Sequence, residues 1–142
     1  MFIGAVDTMV RLVEDSLLTF EDNKRYMSKS QWTRDMATVN LSVPRQVGKT
    51  SYIIKRASCA DLVIVHNQAM KDLYRGACAL VVTPPELNRL NRGRVQRGFH
   101  RVYVDEPRLV FTSGFSLDEL YSLFDGSQCS PYCANMFIML GT

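Results

Sequence analysis

Short apolar runs alternate with amphipathic stretches along the chain, and their periods predict its elements. Val6, Met9, Val10, Val13 and Leu17 recur at helical spacing, which predicts an amphipathic helix over 5–19. FEDNKRYMSKSQWTRD follows, polar and mixed in charge, a connector with room for some helix. ATVNLSV, 37–43, alternates apolar and polar positions and predicts a strand, closed by Pro44 because proline cannot donate to a sheet ladder. GKTSYIIKRAS then opens a helix that can turn Ile53, Ile54 and Ala57 toward a sheet. DLVIVHN, 61–67, has the unbroken apolar run of a strand covered on both faces. QAMKDLYRGA reads as a helix ending near Gly76, and ALVVT, 79–83, as another buried strand stopped by Pro84 and Pro85. RVYVDEP, 101–107, is a fourth strand, and Thr112-Ser113-Gly114 is a turn before the next helix. That helix is SLDELYSLF, 116–124, with Ser116 and Glu119 spaced as a capping box. NMFIMLGT, 135–142, is the last strand.

Strands alternating with helices predict an α/β fold with a mainly parallel sheet of about five strands and both faces covered, a three-layer α/β/α arrangement. The 142 residues read as one domain, with 1–36 as N-terminal helix and connector and 37–142 as the core. With 46% hydrophobic and 22% charged residues the chain can build an ordinary core, which excludes a disordered class. No apolar run approaches the roughly 18 residues of a membrane span. The N-terminus carries Asp7, Glu14 and Asp15 without a basic segment before them, so it does not read as a signal peptide, and a cytoplasmic location is expected. The spacing of Cys59, Cys78, Cys129 and Cys133 does not suit zinc, and His66 and His100 lie far off. Free thiols in a reducing compartment are expected.

A net charge of +3 is too mild to imply nucleic acid by itself. Its distribution says more: Arg89, Arg92, Arg94, Arg97 and Arg101 crowd into NRLNRGRVQRGFHR, read as a loop. These arginines could touch the phosphates of DNA or RNA, or belong to a solvated loop or a subunit contact.

The chemistry concentrates in VPRQVGKT, 43–50, and VYVDE, 102–106. A phosphate-binding loop works through inward backbone N–H groups and a helix N-terminus. Its lysine reaches the β- and γ-phosphates, and its Ser/Thr hydroxyl helps hold magnesium. Gly48, Lys49 and Thr50 fit, because they follow a predicted strand and open a predicted helix. Val43, however, stands where the full pattern wants glycine. Asp105 and Glu106 end an apolar strand at the edge where open α/β sheets bind ligands. Asp105 can hold magnesium or its waters, and Glu106 can orient and deprotonate a water. A solvated strand-end turn is the plain alternative for that acidic pair.

PRQVGKT resembles the variant phosphate loop of the ATPase domain in viral terminase large subunits, the motors that pump DNA into phage capsids. That variant does not insist on the first glycine. The resemblance implies a RecA-like P-loop ATPase core that binds ATP and Mg2+. Arg45, Gln46, Val47, Gly48, Lys49, Thr50 and Ser51 would line the nucleotide, and Thr50 and Asp105 the metal. It further implies catalysis by Glu106 on water, Lys49 on the phosphates, and Arg45 as an arginine acting in cis on the γ-phosphate. DLVIVHNQAMKDLY, LVVTPPEL and FIMLGT are similar to the following segments of terminases and superfamily 2 helicases. In those helicases the T-P-x-x-L segment lies against the nucleic-acid backbone. Gln31, beside Trp32, would read adenine by the same likeness, or be an ordinary linker residue. The Asp-Glu pair and the intervening strands point to the additional-strand, catalytic-glutamate class rather than to nucleotide kinases or small GTPases.

The chain has no room for a terminase nuclease domain or a second helicase domain, and it stops at Thr142 where the coupling motif would begin. The expectation is a terminase-like motor domain acting on nucleic acid with further domains, protein partners or copies of itself, in the host cytoplasm if viral. The other reading is a nucleotide-binding regulatory module that does not turn over. A small-molecule kinase is a third.

Overall fold

Apolar strands without a polar face must be covered on both sides, and here helices do so. The computed structural model describes residues 2–42, 48–91, 97–112, 115–124 and 132–141. Helix α1 (Phe2–Thr19), a 3-10 turn (Glu21–Tyr26) and α2 (Lys29–Met36) lead into β1 (Thr38–Ser42). Then come α3 (Lys49–Arg56), β2 (Leu62–Ile64), α4 (Gln68–Asp72), β3 (Leu80–Val82), α5 (Pro84–Asn91) and β4 (Arg97–Asp105). The described chain ends with α6 (Pro107–Val110), α7 (Leu117–Leu123) and β5 (Tyr132–Gly141).

The five strands form one sheet in the order β1-β5-β4-β2-β3, every pair parallel. Alternate side chains feed two cores. Leu62, Ile64, Val102, Val104, Phe137 and Met139 pack with Leu87, Val110, Leu120 and Phe124 on one face. Val63, Val65, Tyr103, Ile138 and Leu140 pack with Val6, Val10, Tyr52, Ile53 and Tyr74 on the other. The expected α/β architecture with a parallel sheet is therefore present. No helix among the described residues is long and apolar enough to cross a membrane.

Several elements differ from the sequence reading. The helix expected to run to Gly76 stops at Asp72. The N–H groups of Leu73 and Tyr74 bond to Met70 and Lys71, an i→i+3 tightening that turns Tyr74 into the core. The prolines that stop β3 also start α5, since proline lacks the N–H that a first helical turn leaves unpaired. β3 is an edge strand, half-buried at Leu80 and Val81. The arginine-rich stretch is not one loop. Arg89 lies in α5 and Arg97 and Arg101 in β4, while Arg92 and Arg94 lie outside the described residues. Arg101 is engaged by Glu14 of α1 at 2.6 Å, so it serves packing of α1. The expected strand 101–107 ends at Asp105, and Pro107 begins α6.

The expectation of free thiols is overturned at Cys59 and Cys78, which form a disulfide with Cα atoms 4.8 Å apart. Parallel pairing of Leu62 with Leu80 brings the residues just before β2 beside those just before β3, and both cysteines sit there. Cys133 is free, and Cys129 lies outside the described residues.

Candidate functional site

Sheet order decides what meets at the C-terminal edge. β5 lies between β1 and β4, so the strands leading to Gly48-Lys49-Thr50 and to Asp105-Glu106 stand two strand spacings apart, about 10 Å. The turn at Gly48 and two side-chain pairs close that gap. Lys49 Nζ forms an ion pair with Glu106 Oε1, and Thr50 Oγ1 donates to Asp105 Oδ2 at 2.9 Å. Segments 55 residues apart in sequence thus close on one another.

The local backbone explains the convergence. Gly48 caps α3 with φ 89°, a left-handed conformation that glycine adopts without steric cost. The turn thereby places Lys49 and Thr50 at the first positions of α3, with Lys49 only 7% exposed. On the other segment, Glu106 must carry the chain from strand into helix within one residue. Its N–H extends the sheet to Leu140 O, and its carbonyl accepts the first bonds of α6 from Leu109 and Val110. The result is φ 58°, ψ 70° at a non-glycine residue, strain of roughly 1–2 kcal/mol. Gly141 gives the following Pro107 room, since a Cβ there would make a tight contact of 3.2 Å with Pro107 Cδ.

Asp105 is fully buried. Its Oδ2 accepts both Thr50 Oγ1 and the hydroxyl of Tyr74, the latter at 2.6 Å. Its Oδ1 is buried with no hydrogen-bond partner among the described residues. An acceptor oxygen left so is costly, and a donor, a water or a cation could satisfy it. Burial, followed by the neighbouring Asp105 carboxylate, pushes the Tyr74 hydroxyl far above the ordinary phenol range, so it remains a donor. With its proton on Asp105, Thr50 Oγ1 still has lone pairs to offer. One carboxylate oxygen and one hydroxyl fit magnesium, which keeps water and phosphate oxygens as its other ligands. Among the described residues no group of three or more His, Cys, Asp or Glu could hold a metal ion.

Beside this cluster lies a cavity of about 400 Å³ lined by His66, Asn67, Gln68, Lys71, Thr83 and Glu86. Ile64 pairs with Val104, so the residues after β2 stand next to the Asp105–Glu106 tip. His66 Nδ1 is buried and has no hydrogen-bond partner among the described residues. Lys71 is paired with Glu86 at 2.7 Å, which holds the Glu86 carboxyl below the usual carboxylate range.

Of the anticipated residues, Gly48, Lys49, Thr50, Asp105 and Glu106 come together, and Ser51 is exposed on the first turn of α3. Gln31 does not join them. It is exposed on α2, and its neighbour Trp32 lines a separate cavity with Ala134. Ala134 lies six residues, about 20 Å, down β5 from Leu140, the partner of Asp105. Arg45, Gln46 and Val47, together with Val43 and Pro44, lie outside the described residues. Tyr74 was missed. It sits in a segment that reads as ordinary helix, and only a contact 31 residues away reveals it. In comparisons with protein-family models, curated proteins and solved structures, the chain matches none.

Proposed function

We propose that this chain binds ATP with magnesium at the Lys49–Thr50–Asp105–Glu106 cluster and hydrolyses it as a terminase-like motor domain acting on nucleic acid. The observation that carries the reading is the convergence of two segments of complementary chemistry, with a buried Asp105 oxygen left open beside Thr50. Bound magnesium would supply charge neutralisation on the phosphates, with Thr50 and Asp105 holding it. Lys49 would exchange Glu106 for phosphate oxygens. Glu106, released, would orient a water and take its proton. The Gly48 turn offers backbone N–H groups at the start of α3. An extra strand between the two motif strands agrees with the additional-strand class, and the polar cavity between the HNQ and TPPEL segments agrees with a polymer passing close by. A cytoplasmic place of action, where ATP is supplied, goes with this reading, as do partners or further copies of the chain.

The second reading, a nucleotide-binding regulatory module without turnover, draws on the same ion pair: Lys49 and Glu106 hold each other in a partly buried setting. Phosphate release with and without DNA separates the two. Glu106→Gln should keep ATP bound and lower turnover at least ~100-fold. ATP binding that survives Lys49→Ala would remove both readings, and DNA-stimulated turnover would remove the second.

A further inference from the structure

We propose that Tyr74 is a positioning residue for the metal, fixing the Asp105 carboxylate so that Oδ1 faces the cation. The inference rests on the magnesium–nucleotide reading above and assigns a role to a residue outside both motifs. Tyr74 is 2% exposed, belongs to the turn after α4, and directs its hydroxyl to Asp105 Oδ2 at 2.6 Å. Thr50 donates to the same oxygen from α3, so two chain segments grip one oxygen and neither donates to Oδ1.

A carboxylate held by Thr50 alone could rotate and exchange its oxygens. It would rely on a hydroxyl that the cation also draws upon. The Tyr74 hydroxyl breaks that symmetry, since a neutral phenol donates one proton and has no reason to leave Oδ2. Tyr74 packs in the core with Val63, Val65, Tyr103 and Ile138, which keeps its ring from swinging away. The crossover between β2 and β3 therefore contributes to a site whose recognisable residues all lie elsewhere.

Two measurements test this on the full chain. In the first, Mn2+ uptake is followed by electron paramagnetic resonance with a β,γ-imido ATP analogue, for the parent and for Tyr74→Phe. The variant should bind the analogue in EDTA within about twofold of the parent and take up Mn2+ about tenfold more weakly or worse, the usual cost of losing a partner that orients a ligand. Equal Mn2+ affinity in the two proteins overturns the inference. In the second, 3-fluorotyrosine at position 74 keeps the hydroxyl and the packing, so it reports even if the phenylalanine variant fails to fold. Its fluorine resonance should move when Mg2+ is added to the analogue complex, and a stationary signal overturns the inference. A parent chain that binds no analogue at all ends the nucleotide reading and this inference with it. Normal binding by the parent with an indifferent Tyr74→Phe ends only the latter.

Discussion

Two aspartates in this protein are each held by a tyrosine hydroxyl, and they are held differently. Asp7 of α1 accepts Tyr52 on Oδ1 and Arg56 on Oδ2, both at 2.8 Å, so each oxygen has its donor. It is partly open to solvent, with its side chain 35% exposed. Asp105 is fully buried, and both its donors fall on one oxygen while the other has none among the described residues. The first arrangement stitches α1 to α3. The second leaves a buried acceptor without a partner among the described residues, an arrangement that folding alone gives no reason to keep. Satisfied polar pairs serve the fold. On the proposed reading, an open one, shielded and rigidly held, is where a ligand would supply what the protein withholds.

That contrast can be tested, beginning with the largest effect. Asp105→Asn should remove the metal-dependent part of ATP affinity, by about 100-fold or roughly 2.7 kcal/mol, when titrations in Mg2+ and EDTA are compared. Asp7→Asn should leave both titrations alone. Equal behaviour of the two variants would break the comparison.

The tyrosines give the next step. Tyr52→Phe should cost about 1 kcal/mol in denaturant unfolding, the worth of one hydrogen bond, with no change in nucleotide or metal binding. A loss of metal affinity there would mean that the α1 contacts reach the site.

The smallest effect is in acid. The hydrogen bond from Tyr52, then the bond and charge of Arg56, hold the Asp7 carboxyl below its ordinary range despite an opposing push from burial. A lowered folded-state value means that the stabilisation is fully present above the ordinary carboxylate range and is lost as pH falls through the lowered value. The contribution is modest because solvent screens the pair. Asp7→Asn should therefore flatten the acid limb of the stability profile slightly and leave the neutral limb parallel to the parent's.

The local pattern alone determined much of this molecule. Helix α1, the strands around Val39, Val63, Val81, Val104 and Ile138, and the start of α3 at Gly48 follow from side-chain period and from a glycine placed before a lysine. Ser116 as the cap of α7 was legible too, since Ser116 Oγ accepts the Glu119 N–H three residues on. These signals are short-range, and nearest-neighbour sterics and burial suffice to write them. Tertiary structure decided the rest. Placing β5 between β1 and β4, joining Cys59 to Cys78 and bringing Tyr74 to Asp105 all depend on which strands pair and in what register. Even Glu106, conspicuous as half of an acidic pair, acquires its left-handed backbone only where β4 meets Leu140 and Pro107 packs over Gly141. Contacts between distant segments are set by the packing of the whole sheet, and no local window contains that information.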